Sequence, residues 1–350
     1  MSGGILIERA ATGNPPSEFC CQVFVFAAVF AGGRVALLPA AIIEAPSLRQ
    51  VSVKREFDVL RDGVWRWLMI IPRLSGERLL ADIEAARLDR RRFHLWWLGQ
   101  SGFLLQWQGR HLLMDPYLSD SLTLKYAETD KPHVRMTEQV IDPQQLNFID
   151  VVTSSHNHTD HLDAETLLPL MQVNPQVPVL VPAANREFAA ARLECPETRL
   201  TTLDAGESRE IAGFEFLGVP AAHEQLDRDA AGRYPYLGYV VRFGEWSLYH
   251  SGDTVRYDGL VEQLRPWAVT VALLPINGRL PARRVAGNLW GAEAAELARD
   301  IGAGLVIPCH FEMFEFNTVD TEQFVAAAEG LEQPYRVLAC GQRWSGPEVS

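Results

Sequence analysis

The chain has 350 residues, 47% of them hydrophobic and 22% charged, with a formal net charge of −12. That composition is ordinary for a soluble globular protein, and the length suffices for one large catalytic domain with an appendage. The acidic balance argues against a phosphate-backbone binder, so the expected partner is a small-molecule substrate and not nucleic acid.

Residues 1–75 read as an N-terminal extension of unknown role. The apolar run 19–31 (FCCQVFVFAAVFA) falls short of the ~20 residues a spanning helix needs, so no stable membrane insertion is expected. Glu8, Arg9 and Glu18 leave the leader net negative where a secretory signal is basic. The five cysteines, Cys20, Cys21, Cys195, Cys309 and Cys340, lack CxxC pairing and even spacing. A reducing, cytoplasmic setting fits them, and Cys309 reads as a small apolar residue at a strand end.

From residue 76 the pattern turns regular and reads as one catalytic domain, 76–350. The stretch 76–92 carries Leu79, Leu80, Ile83 and Leu88 at helical spacing, and Arg90, Arg91 and Arg92 read as a charge complement to the helix C-terminus. Apolar runs at 95–98, 103–107 and 111–114, separated by Gly102 and by Gly109-Arg110, predict a meander of strands. Helical stretches follow at 163–172, 183–193, 292–301 and 321–331. Strand-like runs lie between them at 214–219, 237–243, 247–250, 269–274 and 305–308. Strand clusters followed by alternating helices and strands predict a layered α/β domain with paired sheets inside. Trp96 and Trp97 in strands, and Trp290, read as core more readily than as pocket wall.

The chemistry concentrates in His156-Asn157-His158-Thr159-Asp160-His161, directly after the largely apolar run 149–155. Imidazoles and a carboxylate suit zinc, manganese or iron. His156 and His158 sit two apart and can converge from a tight turn, while Asp160 and His161 can face a second ion. Further candidates stand where other strand-like runs end: His223, Asp253 in YHSGDT, and His310 after VIPC. Loops at strand ends are where α/β scaffolds carry their chemistry.

Together these motifs resemble the metallo-β-lactamase superfamily, in particular its L-ascorbate-6-phosphate lactonase-like branch. The resemblance spans about residues 94–345 and rests on HNHTDH with WWLGQSGFLL, LLMDPYLSD, SLYHSGDT, LLPINGR and IPCHFEMF. It implies a four-layer αββα metallo-hydrolase sandwich holding two divalent ions, zinc or manganese, with iron an alternative. It also implies that His156, His158 and His223 hold the first ion and Asp160, His161 and His310 the second, with Asp253 bridging. Asp115 would orient the metal loop, and His250 would be packed behind it.

Two close divalent ions generate hydroxide at neutral pH and polarise a carbonyl or phosphoryl oxygen. Hydrolysis is therefore expected, and the resemblance implies a lactonase acting on a small anionic sugar-derived lactone, with Asp160 moving the proton to the departing alkoxide. Asn277 and Arg279, with Arg283 and Arg284 close behind, are the candidate anion-recognising residues. The rival readings are a phospholipase-D-like phosphodiesterase on the same fold and a non-catalytic metal-binding module. A homo-oligomer is left open.

Overall fold

The computed structural model describes residues 69–348 and, before them, only the backbone of five strands. These are Ile5–Glu8 (β1), Val23–Ala31 (β2), Arg34–Ile43 (β3), Phe57–Val59 (β4) and Trp65–Trp67 (β5). Cys20, Cys21 and the side chains of the apolar run 19–31 lie outside the described residues. The chain divides into two compact units, Met1–Leu68 and Met69–Ser350. Met69 to Ser75 thus go with the second unit. There the Ile70 amide donates to Met136 O and the Arg73 amide to Cys340 O, both at 2.7 Å.

Helix α1 (Gly76–Ala86) buries Leu79, Ile83 and Ala86. It ends before the arginine cluster, because the Asp89 carboxylate accepts from the Arg91 and Arg92 amides and turns the chain. The reading of that cluster as a helix-dipole complement is therefore corrected. Arg91 and Arg92 pair instead with Glu348, at 3.0 and 2.5 Å.

Strands β6 (His94–Gly99), β7 (Gly102–Trp107) and β8 (Arg110–Met114) form the expected antiparallel meander. The short helix α2 (Ser121–Tyr126), unforeseen from the sequence, follows it. β9 (Val151–Thr153), β10 (Val179–Pro182) and β11 (Leu200–Leu203) then run parallel to β8, connected by α3 (Ala164–Val173) and α4 (Arg186–Arg192).

The second sheet has the order β12 (Ser208–Ile211), β13 (Phe214–Pro220), β14 (Leu237–Phe243), β15 (Trp246–His250), β16 (Val271–Pro275), β17 (Leu305–Cys309). Helices α5 (Leu260–Leu264) and α6 (Gly291–Ile301) make its parallel crossovers, and α7 (Glu322–Gly330) packs on α6. β18 (Arg343–Ser345) returns to pair with β6 and completes a seven-stranded first sheet.

One core joins the two sheets. Trp107 on β7 meets Trp246 on β15 edge-on at 4.6 Å, and Phe93 meets Phe243 at 5.2 Å. β6 and β7 are buried along their whole length, so both of their faces are covered. The fold is an α/β sandwich with helices against the outer faces, as at α4 on β10 and α6 on β16.

Strand direction positions the site. β8 and β9 are parallel, as are β15, β16 and β17. β13 is antiparallel to β14 and β14 to β15, so β13 shares the direction of β15. The carboxyl ends of these strands therefore gather at one edge of each sheet, where open α/β sheets place ligands.

Candidate metal centre

Every proposed ligand leaves the carboxyl end of one of those strands: residues 156–161 after β9, His223 after β13, Asp253 after β15 and His310 after β17. His156, His158 and His223 each bring one ligand atom within 4.8 Å of the others, and Asp160, His161 and His310 do the same. Asp253 lies between the groups. Its Oδ2 is 3.7 Å from His223 Nε2 and 3.2 Å from His310 Nε2, and its Oδ1 is 3.3 Å from His161 Nε2. Gly252 makes this approach possible, because its φ is +59° and a Cβ there would lie 2.6 Å from Ser155 Cβ.

The surrounding hydrogen bonds aim these rings. Asp115, buried at the end of β8, accepts from the Ser155 amide at 2.9 Å, from the Ser155 hydroxyl, and from His161 Nδ1 at 2.6 Å. That engagement fits an orienting role for Asp115 beside the expected metal loop. His223 Nδ1 donates to Gly287 O at 3.1 Å, which leaves Nε2 turned to Asp253. His250 is packed away from the centre, its Nε2 donating to Ser101 O at 2.8 Å.

Burial sets the charge of the first group. It lowers the His158 pKa to about 4 and that of His156 well below the usual value, with neighbouring histidines adding to both. His223 is lowered as well, chiefly by burial. These rings are neutral at pH 7 and keep a lone pair for a cation. In the second group burial is outweighed. Asp253 and Asp160 raise His310 to about 9 and His161 well above its usual value. In return, and against burial, the histidines hold both carboxyls far below the ordinary range.

His156 Nε2, His161 Nε2 and Asp253 Oδ1 are buried with no hydrogen-bond partner. A buried polar atom left without a partner costs about 1–3 kcal/mol. Three such atoms in one centre, among nitrogen and carboxylate donors, fit a divalent cation.

The centre opens into a cavity of about 530 Å³ lined by Lys125, Tyr126, His133, Arg192, Arg284 and Phe314, among others. Arg279 and Asn277 do not line it. Arg279 forms a two-armed ion pair with Glu293 at 2.6 Å, and Asn277 is buried in hydrogen bonds with Asn288 and Asn317. The polar groups of both residues are thus engaged within the chain. Trp96 and Trp97 are core residues. Cys309 is buried, and burial pushes its thiol pKa well up, against a nucleophilic role.

Sequence reading passed over Gln100, whose side chain reaches Asp160 and His310. The one local signal is its place in the turn between two predicted strands. It also missed Lys125 and Arg192 on the cavity rim, drawn from segments with no shared motif, whereas Arg284 there is one of the arginines expected beside Arg279.

Residues 110–311 match the profile of a beta-lactamase superfamily domain. A UPF0173 metal-dependent hydrolase of Opitutus terrae is 30% identical over 253 residues, 71% of this chain and 97% of that relative. The chain belongs to the metallo-β-lactamase superfamily. It is a metal-dependent hydrolase of that fold. A probable L-ascorbate-6-phosphate lactonase of Escherichia coli is 23% identical over 277 residues, 71% of this chain and 77% of that protein. The solved isothiocyanate hydrolase from Delia radicum gut bacteria shares the fold with a TM-score of 0.57 at 18% identity, covering 73% of this chain and 100% of that one. Among the described residues, no helix is long and apolar enough to cross a membrane.

Proposed function

We propose that this superfamily member is a dinuclear hydrolase that opens a small anionic lactone. The observation that carries the reading is the pair of three-residue ligand groups meeting at Asp253 beside one cavity. In this reading His156, His158 and His223 hold one divalent ion, and Asp160, His161 and His310 hold the other. When bound, zinc or manganese, or iron, supplies hydroxide at neutral pH and polarises the scissile carbonyl.

The chain's own groups do the rest. Asp253 sits between the two ligand groups and sets their spacing. Asp160 lines the cavity, where its carboxylate can carry the proton of the attacking water to the departing alkoxide. Lys125 and Arg192 give the cavity positive charge and favour an anionic substrate, and Arg284 beside them is paired with Asp130 at 2.9 Å. The cavity volume suits a small molecule rather than a long-chain phosphodiester. The name of the E. coli relative points the same way.

The test is elemental analysis of purified protein, with assays of sugar-derived lactones and p-nitrophenyl phosphodiesters before and after chelation. About two ions per chain and EDTA-sensitive lactone hydrolysis are expected. Phosphodiester turnover without lactone opening would replace the lactonase reading, and metal-free protein unaffected by EDTA would remove both. We further propose that residues 1–68 lie outside the catalytic unit. Deleting 1–68 should leave a folded, metal-loaded, active protein, and a metal-loaded but inactive one would assign that segment to the pocket.

A further inference from the structure

We propose that Gln100 is a positioning residue for Asp160 and, through it, sets the affinity of the second cation. The inference rests on the dinuclear reading above. Gln100 occupies the turn between β6 and β7 with φ +49°, a left-handed conformation that non-glycine residues seldom adopt. Its carbonyl accepts from Trp97 Nε1 and from the His310 amide, both at 2.9 Å, so the turn is tied to the loop that carries a ligand. Asp115 and His310 also have positive φ, at +42° and +63°. Three left-handed side-chain-bearing residues at one centre is the pattern of backbone held in place for function.

The side chain is 1% exposed. Its Nε2 lies 2.8 Å from Asp160 Oδ2 and 3.1 Å from His310 Nε2. The opposite amide orientation would set Oε1 against the Asp160 carboxylate, acceptor against acceptor, so the donor faces Asp160, and its contact with His310 Nε2 is relieved when that nitrogen gives up its proton to a cation. Oε1 is buried with no hydrogen-bond partner. An amide placed for its own satisfaction, or for packing alone, has no reason to accept that loss.

The gain lies at Asp160. One Asp160 oxygen is fixed by a neutral donor, so the carboxylate is oriented before a cation arrives. A lysine at this position would repel the cation, and a glutamate would crowd Asp160 and Asp253 with a third negative charge. Partners of this kind behind metal ligands typically change affinity ten- to a hundredfold.

The experiment is a titration of metal-stripped, full-length protein with Mn²⁺ or Zn²⁺, resolving the two binding steps by calorimetry. Gln100→Met keeps the length of the side chain and removes its N–H. It should hold the first cation within about twofold of wild type and lose about ten- to a hundredfold for the second. Its hydrolytic activity should recover when the cation concentration is raised. If Gln100→Met does not fold, Gln100→Asn tolerates the left-handed backbone and withdraws the amide by one methylene, and the same one-sided loss is expected. Unchanged affinity for both cations, or equal losses for both, would overturn the positioning role. Wild-type protein that takes up fewer than two cations would remove the dinuclear reading and this inference together.

Discussion

His156, His158 and His223 chiefly face one another, whereas His161 and His310 each stand within 3.7 Å of both Asp160 and Asp253. The difference lies in the neighbours and not in the histidines. Burial beside no more than one carboxylate, as at His223 with Asp253 3.7 Å away, leaves an imidazole neutral, and burial beside two charges it. Without a cation, protons on His161 and His310 balance Asp160 and Asp253, while the first group has no charge to balance. One half of the centre is an open set of lone pairs, and the other is an ion pair that a cation must displace.

The largest expected effect comes from the residue that belongs to both halves. Asp253→Ala should disturb both ions and lower kcat/KM by roughly a thousandfold. His158→Ala and His310→Ala should each empty one site, and elemental analysis of the three variants reads this directly. An Asp253→Ala protein that keeps two ions and near-normal turnover would break the comparison.

Proton release sharpens it. Binding at the second group must displace the His310 proton, which is held up to a pKa of about 9. His161, raised as well, must also give up its proton, so second-cation affinity should rise by up to about a hundredfold per pH unit, the slope falling above about pH 9. First-cation affinity should be flat above about pH 6.5, because His158 is already neutral. Calorimetry in buffers of different ionisation enthalpy measures the protons released at each step. Equal release at both steps would contradict the assignment.

The metal-free protein should show the same division in its stability. The His310 pKa is raised, so its contribution is full below about pH 6.5 and is lost as pH rises to about 9. The His158 pKa is lowered to about 4, so its contribution is full above about pH 6.5 and is lost as pH falls toward 4. Thermal melts of stripped protein should peak near pH 6.5. Saturating metal should flatten the alkaline side, and a stripped protein that gains stability from pH 6.5 to 9 would contradict the charge states.

The smallest effect concerns the cavity rim. Lys125→Ala should lower kcat/KM about tenfold for an anionic lactone and little for a neutral one. Arg279→Ala, which breaks the ion pair with Glu293 away from the cavity, should cost both substrates alike or neither. The reverse pattern would return anion recognition to Arg279.

Much of the centre was legible in the order of residues. The hexapeptide 156–161 and the histidines and aspartate after buried runs mark where strands end, and strand ends are where loops can carry chemistry without disturbing a core. Apolar runs located β6 to β8 and β13 to β17 because fully covered strands need apolar side chains on both faces. Less visible were α2, with six residues too short for a periodic signal, and the end of α1, which an Asp89 turn decides.

Pairing was not legible at all. Arg279 looked free because its partner Glu293 lies on a different element, and Gln100 looked like a turn residue because Asp160 is sixty positions away. Residue types and spacing thus determined the chemistry this protein can hold, since ligand identity is a local property. Only the tertiary structure decided which histidines are charged, which arginines are spent and which amide holds Asp160. Those properties depend on distances of a few ångströms between segments that the chain itself keeps far apart.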